Sequence, residues 1–452
     1  MADTIAALAT AARLSAIGII RLSGPESISI ADRLFYPNSG KPMSSQRSRT
    51  LVYGQLRTAQ GEALDSCLCT VSRAPNSYTG EDTVEFQCHG SPVILRSALE
   101  EIFALGARQA GPGEFTKRAF LNGRLELTAA EAVADIIEAE SLESAKNAAA
   151  QLSGAISRRV ESIYSSLTDI SSHYHAVLDY PDEDIEDFVL DSYRSTLKEA
   201  EGALRRLLRT FRRGKLMKEG IPAVIAGRPN AGKSSLLNAL LGYDRAIVTA
   251  IPGTTRDTIE EKLSLGGVCL RLTDTAGLRD TGDEAERLGV ERSRSAMESA
   301  ELIIAVIDAS RAMSQEDEAL IKSAEQAPKG VIVLSKSDLR QEFTSVETKL
   351  PTVSISSVTG EGLEELENTV KALFPLPDVP AGEILTNSRQ AEAVSRALES
   401  LEAAAKAMEY GATPDIILTE TENAMAALGE LSGKTVREDI TNRIFERFCV
   451  GK

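Results

Sequence analysis

Residues 227–234 read Gly-Arg-Pro-Asn-Ala-Gly-Lys-Ser, directly after the apolar run Ile221–Ala226. This is G-x-x-x-x-G-K-S between a short strand and a helix expected over Ser235–Leu241. It implies an α/β domain whose loop N–H groups wrap the phosphates of a nucleotide. Gly227 and Gly232 let the backbone turn and approach closely. Lys233 is placed to reach the β- and γ-phosphates, and the Ser234 hydroxyl to ligate Mg²⁺.

Two later motifs narrow the nucleotide. Asp274-Thr275-Ala276-Gly277 follows the alternation Val268–Leu272, at the carboxyl end of an expected strand. Asp274 can hold Mg²⁺ through water there, and the Gly277 N–H can bond a γ-phosphate oxygen. Ser335-Lys336-Ser337-Asp338 follows Gly330–Leu334. A carboxylate at that strand end accepts two hydrogen bonds from guanine's ring N–H and amino group, a pair that adenine does not offer. Lys336 is expected to lay its stem against the base plane. The usual form of the motif is N-K-x-D. Here Ser335 replaces the Asn with a shorter reach, which predicts weaker guanine binding. Ser356-Ser357-Val358, after Thr352–Ile355, fits a loop that closes over the base. Thr254-Thr255-Arg256-Asp257 lies between the phosphate loop and Asp274, and Thr255 is the natural second Mg²⁺ ligand. Ras-like enzymes place a Gln directly after D-x-x-G, whereas this chain has Leu278, which cannot orient water. The acidic stretch Asp283–Glu286 is open to two readings, a helix first turn or a functional carboxylate.

The chain has 452 residues, which predicts about three domains. Its formal net charge of −16 disfavours nonspecific nucleic-acid binding over the whole surface. Any RNA contact is therefore local or shared with a partner. One candidate is the basic cluster Arg205, Arg206, Arg209, Arg212, Arg213, Lys215 and Lys218, read either as a solvated helix face or as an RNA contact. No basic n-region precedes an apolar stretch near Asp3, and no apolar run approaches membrane-spanning length. The five cysteines, Cys67, Cys69, Cys88, Cys269 and Cys449, are odd in number and lack metal-ligand spacing. These features predict a cytoplasmic, reduced protein with no membrane association and no structural disulfide.

Periodicity divides the chain. Residues 1–118 carry short β-type runs (Ala16–Leu22, Leu51–Arg57, Ser66–Ser72, Thr83–Cys88) and a helical stretch Val93–Ala104, an α+β pattern. Residues 119–215 are Ala-, Glu- and Leu-rich with helical period, interrupted at Pro181. The nucleotide domain is expected over 216–377, closed by Pro375, Pro377 and Pro380. Residues 378–452 return to helical period (Ala391–Tyr410, Asp415–Leu431, Val436–Phe448). Each helical block is short of partners alone, so the two are expected to pack together with the nucleotide domain inserted between them.

With the motifs assembled, the chain resembles the MnmE (TrmE) family of tRNA-modification GTPases over its whole length. Asn76-Ser77-Tyr78-Thr79-Gly80-Glu81-Asp82 and Pro112-Gly113-Glu114-Phe115-Thr116 are similar to the family's N-terminal signatures. Gly227–Ser235, Thr254–Asp257 and Asp274–Arg279 are similar to its GTPase motifs, and Phe448-Cys449-Val450-Gly451-Lys452 to its C-x-G-K ending. The resemblance implies a multidomain α/β plus α protein. Its parts would be an α+β tetrahydrofolate-binding and dimerisation domain, a split helical bundle and an inserted Ras-like P-loop GTPase domain. It implies a homodimer that works with the flavoprotein MnmG (GidA), which carries the FAD. Together they would use a tetrahydrofolate one-carbon unit to build a carboxymethylaminomethyl or aminomethyl group on carbon 5 of the tRNA wobble uridine. GTP hydrolysis would need Mg²⁺ and K⁺.

Carried over by position, the resemblance implies GTP contacts at Asn230, Ala231, Gly232, Lys233, Ser234 and Ser235. Others fall at Thr249, Ala250, Ile251, Pro252, Gly253, Thr254 and Thr255, at Asp274, Thr275, Ala276 and Gly277, at Ser335, Lys336 and Asp338, and at Ser356, Ser357 and Val358. It implies Mg²⁺ at Ser234 and Thr255, and K⁺ at Asn230, Thr249, Ile251 and Thr254. Glu286 matches the family's water-orienting glutamate. Folate contacts fall on Arg21, Glu85, Arg124 and Lys452, with Arg124 standing where the family has a lysine. The stretch Ala9-Thr10-Ala11-Ala12-Arg13 departs from the family's A-T-P-x-G pattern. Cys449 has two readings, a small buried hydrophobe or, as the resemblance implies, a thiol needed for modification. The rival class is a GTP-switched RNA-binding or ribosome-assembly factor of the Era or Der type, which needs neither a folate domain nor a terminal cysteine. A P-loop small-molecule kinase would leave Asp338 and Thr255 without purpose.

Overall fold

The computed structural model describes residues 3–179, 190–242, 248–249, 261–272, 296–375, 379–433, 445, 448 and 450–451. These divide into two compact units. The first comprises Met1–Ala134, Leu152–Tyr164 and Met425–Lys452, and the second comprises Asp135–Gln151 and Ser165–Ala424.

The first unit is built on a seven-stranded sheet. Its order is Phe35–Pro37, Val52–Arg57, Ala63–Ser72, Thr83–His89, Ile17–Ser23, Ile5–Leu8 and Arg108–Gln109. All neighbours are antiparallel except the last two, which run parallel. Alternation sends Ile20, Leu22, Cys67, Cys69, Val71, Val84, Phe86 and Cys88 to one face. There they pack with Ile30 and Leu34 of the helix Ser27–Leu34 and with Leu95, Ala98 and Ile102 of Pro92–Ala104. Gly18 makes room at this contact: a Cβ on it would lie 2.4 Å from Leu95 Cδ1 and force that side chain to shift. The four expected strands are present with ends shifted by one to three residues. Three short strands, Ile5–Leu8, Phe35–Pro37 and Arg108–Gln109, have too few residues to give a periodic signal.

The second unit contains another seven-stranded sheet, ordered Thr352–Ile355, Gly330–Ser335, Leu302–Asp308, Ile221–Ala226, Val268–Leu272, Glu261–Leu265 and Val248–Thr249. The first five are parallel and the last two pair antiparallel. Continuous burial of Leu302–Ile307 and Gly330–Ser335 follows from covering both faces. Ile304 and Val306 meet Leu236 and Leu240 of the helix Lys233–Gly242 and Leu366 of Leu363–Leu373 on one side. Ile303, Ala305 and Ile307 meet Ile321 and Ala324 of Gln315–Gln326 on the other. That last helix starts with a capping box: Ser314 Oγ accepts from the Asp317 N–H at 3.3 Å, and the Asp317 carboxylate accepts from the Ser314 N–H at 3.0 Å.

The same unit holds long helices from before and after this sheet in the sequence. Ser388–Glu409 packs along Leu190–Glu219. Tyr193 Oη lies 2.7 Å from Thr421 Oγ1, a buried contact between Leu190–Glu219 and Pro414–Ser432. Asn147 and Gln151 both donate to the Ile384 carbonyl, at 3.2 and 2.7 Å. Among the described residues no helix is long and apolar enough to cross a membrane.

Candidate functional site

The phosphate loop leaves the central strand Ile221–Ala226 and enters Lys233–Gly242, at the carboxyl edge of the parallel strands. Gly227 passes so close to its neighbour that a Cβ would sit 2.5 Å from the Val306 carbonyl oxygen. Asn230 and Gly232 adopt φ of 61° and 101°, the left-handed turns that aim successive N–H groups inward. The helix starts two residues before the expected Ser235, because the Leu236 N–H already bonds the Gly232 carbonyl at 2.8 Å. Lys233 Nζ donates to the Gly227 and Arg228 carbonyls at 2.7 and 2.8 Å. Burial holds its ammonium below the ordinary lysine range. Loop carbonyls thus occupy the head group that a β,γ-phosphate would take over.

Ser335 is 3% exposed and its Oγ lies 2.5 Å from the Ala231 carbonyl oxygen and 3.1 Å from that of Ile307. Its one proton can tie the end of the strand Gly330–Ser335 to the loop at Ala231. Lys336 takes φ of 60° and pairs through Nζ with Asp308 Oδ2 at 2.6 Å. Asp338 is exposed, and its Oδ1 accepts from the buried Ser356 Oγ at 2.7 Å. Ser356 also bonds the Val358 and Thr359 N–H groups, so the expected base-closing loop is tied to the expected base-reading carboxylate. Ser357 lies in that loop, and the Val358 side chain is 85% exposed. Ser234 lies in the first turn of the helix behind the loop. Thr249 pairs with Lys262 in the short strand Val248–Thr249. Ala250, Ile251, Pro252, Gly253, Thr254, Thr255, Asp274, Thr275, Ala276, Gly277, Leu278 and Glu286 lie outside the described residues.

Arg205, Arg212, Arg213 and Lys218 of the basic cluster 205–218 bind partners within the second unit. Arg205 pairs with Glu201 and Glu402, Arg212 with Glu301, and Lys218 with Asp135. Arg213 donates to the Phe374 carbonyl and lies 5.2 Å from the centre of the Phe374 ring. This favours the helix-face reading.

In the first unit, Arg21 and Glu85 are direct cross-strand partners joined at 2.8 Å. They lie on the sheet face opposite the helices. The Arg21 guanidinium lies 5.6 Å from the Tyr78 ring centre and 5.7 Å from that of Phe115. The two N-terminal signature segments therefore converge on one residue, joined by a 2.9 Å hydrogen bond between Tyr78 Oη and Thr116 Oγ1. Arg124 is exposed, with its stem against Gly80, and Asn122 Nδ2 bonds the Thr79 carbonyl at 2.7 Å. Val450 bridges to Pro112, and Gly451 (φ 103°) passes the Leu8 carbonyl so closely that a Cβ would lie 2.2 Å from it. Cys449 and Lys452 lie outside the described residues.

Sequence reasoning singled out these segments without their charge network. Arg118 is nearly buried and binds Asp3, Glu81 and Glu114, while Arg108 binds Asp3 and Glu114. Burial works to raise the Glu114 carboxyl. Hydrogen bonds from Arg108, the Gly111 N–H and Arg118 outweigh it and hold it at about 2. A folded pKa below the ordinary 4.5 means this stabilisation is full above that pH and is lost as pH falls toward 2. Glu114→Gln is therefore expected to lower the melting temperature at neutral pH and to flatten its decline on acidification. Calorimetric melting curves across that range check this, and an unchanged acid slope would count against the network.

Asp65, Cys67 and Cys88, from two adjacent strands, bring their ligand atoms within 4.8 Å of one another, a juxtaposition that linear spacing cannot reveal. Cys67, Cys69, Cys88 and Cys269 are all free.

A family model described as the MnmE helical domain matches residues 127–449, and one described as the GTP-binding protein TrmE N-terminus matches residues 4–124. A tRNA modification GTPase MnmE of Symbiobacterium thermophilum is 43% identical over 455 residues, covering 100% of this chain and 99% of that protein. Its counterpart in Alkaliphilus oremlandii is 41% identical over 458 residues, with the same coverage. The G domain of the T. maritima FeoB iron transporter is 28% identical, covers 34% of this chain and 98% of that one, and superposes with a TM-score of 0.27. Matched over its whole length by the two MnmE proteins, and over residues 4–124 and 127–449 by the family models, the chain belongs to the MnmE family.

Proposed function

We propose that the chain is a GTPase that acts in tRNA modification. With the flavoprotein MnmG it would attach an aminomethyl-type group to carbon 5 of the wobble uridine, drawing on a tetrahydrofolate one-carbon unit. The observation that carries this reading is the coexistence of two sites in one MnmE-family chain. One is a phosphate loop with a guanine-type carboxylate, Asp338 held by Ser356. The other is the separate Arg21–Glu85 pair under Tyr78 and Phe115. A pure GTP switch has no use for the second.

By residue chemistry, the groups invoked would be held as follows. Ser234, first-turn hydroxyl of the loop-following helix, and Thr255 would hold Mg²⁺, which neutralises charge on the β- and γ-phosphates. Asn230, at a left-handed backbone turn of the loop, would hold K⁺ with Thr249, Ile251 and Thr254. Glu85 would accept from the pterin amino edge, and Arg21, Arg124 and Lys452 would meet the carboxylates of the folate tail. Glu286 would orient the attacking water in place of Leu278. Homodimerisation through the first unit completes the proposal.

The test is mass analysis of tRNA nucleosides from a strain lacking the gene, with and without complementation. Wobble uridines unchanged by the deletion would sink the reading. The hydrolytic part is checked separately. Turnover is expected to be faster in K⁺ than in Na⁺, and Glu286→Ala to lower it by roughly 10²-fold or more with GTP affinity nearly intact. Equal rates in the two salts remove K⁺ from the mechanism, and unaltered turnover in the variant returns Glu286 to a helix first turn.

A further inference from the structure

In the first unit, three arginines converge on a cavity of about 470 Å³ lined by Arg47, Ser48, Arg49, Thr50, Arg73 and Asn76. Their hydrogen bonds differ from those of the other arginines nearby. Arg73 donates to the Gln46 and Ser44 carbonyls at 3.0 and 2.6 Å, and Arg49 to the Asn76 carbonyl at 3.1 Å through Nε. The Arg47 side chain is exposed and has no partner among the described residues. None of the three pairs with a carboxylate there. Asp32 and Asp82, bonded to neighbouring backbone, accept from the Ser44 N–H and the Ala74 N–H, each at 2.9 Å. By contrast Arg21, Arg108 and Arg118 of the same unit are all neutralised by carboxylates.

Three guanidiniums stand around one open hollow with no carboxylate partner among the described residues, two of them held by carbonyls. In a chain of net charge −16, acids were available to pair them. Carbonyl bonds fix the planes of two guanidiniums while leaving their charge unspent. That is the arrangement that receives an anionic oxygen group at little further ordering cost.

We propose that Arg47, Arg49 and Arg73 form a docking site for a backbone phosphate of RNA. The site rests on the reading that tRNA is the substrate. Arg49 gives it a second consequence. By holding the Asn76 carbonyl, it anchors the segment that carries Tyr78 over Arg21. A phosphate seated on these arginines therefore bears on the same loop that covers the candidate one-carbon site. The charge is local, which reconciles RNA contact with an acidic whole; in the 205–218 cluster Arg205, Arg212 and Lys218 are held in internal pairs.

The experiment measures binding of a fluorescently labelled tRNA transcript with uridine at the wobble position to the full chain, over a range of KCl concentrations. Arg47 is the variant site because its side chain carries no structural bond. Arg47→Ala is expected to weaken binding about tenfold and to reduce the slope of log affinity against log salt by about 1, with Arg47→Lys retaining most of both. GTP turnover and melting temperature are expected to stay at the parent values. Affinity and slope in Arg47→Ala equal to the parent would overturn the site. So would failure of the parent to bind the transcript, or displacement by inorganic phosphate at concentrations too low for an ionic-strength effect, which would mark a free-anion site. If the parent binds and the strain lacking the gene loses its modified uridines while Arg47→Ala changes nothing, the site falls and the proposed function stands. Unchanged uridines in that strain strike the function instead.

Discussion

Asp338→Asn is expected to lower GTP affinity by about 10⁴-fold and to recover it for xanthosine triphosphate. Asp338 stands exposed at the carboxyl edge of the nucleotide sheet, with one oxygen engaged by Ser356 Oγ at 2.7 Å. That bond orients the carboxylate and leaves acceptor positions for the ring N–H and the amino group of guanine. An Asn presents one acceptor and one donor, so its NH₂ would confront the guanine amino group with two donors and no acceptor. Xanthine carries a carbonyl at that position and restores the match. Calorimetric titration with the two nucleotides checks the exchange. Retention of GTP affinity in the variant would mean that the base is read elsewhere. Ser356→Ala is expected to give a smaller loss in the same direction, since it frees the carboxylate without changing its donor–acceptor pattern.

The nucleotide fold was legible because its signals are local. A buried parallel strand is a continuous apolar run, and two of the expected motifs follow such a run directly: Gly227 after Ile221–Ala226, and Ser335 to Asp338 at the end of Gly330–Ser335. One contact of Ser335 was not legible: its Oγ lies 2.5 Å from the carbonyl of Ala231, 104 residues earlier in the chain. The first unit was legible as α+β with its two signature segments, yet its site depends on register. Only the pairing of Ile17–Ser23 with Thr83–His89 shows that Arg21 and Glu85 stand opposite each other. The charges of the 205–218 cluster were visible, but their partners Glu301, Glu402 and Asp135 come from distant segments that no periodicity connects. Short motifs therefore mark where chemistry resides, while long-range pairing decides which charges remain available for it.

That distinction governs the carboxyl-terminal residues, where Gly451→Val is expected to reduce tRNA modification by roughly 10²-fold while leaving GTP hydrolysis intact. Gly451 has φ of 103°, which disfavours any Cβ, and the Leu8 carbonyl lies 2.2 Å from where that Cβ would be. The substitution cannot be absorbed by a rotamer change, because the obstacle is backbone. It must lift Gly451 off Leu8 and break the bridge from Val450 to Pro112, the segment that also supplies Phe115 beside Arg21. The residues flanking Cys449 would then no longer be held against the candidate one-carbon site, whereas the phosphate loop, in the other unit, makes none of these contacts. Cys449→Ser separates the remaining possibilities, since serine is nearly isosteric but far less nucleophilic. If the thiol takes part in modification, Cys449→Ser loses modification at an unchanged melting temperature. If it only fills space, both activities fall together and the protein melts earlier. Full complementation by both variants would show that neither the placement of the tail nor its thiol matters to the reaction.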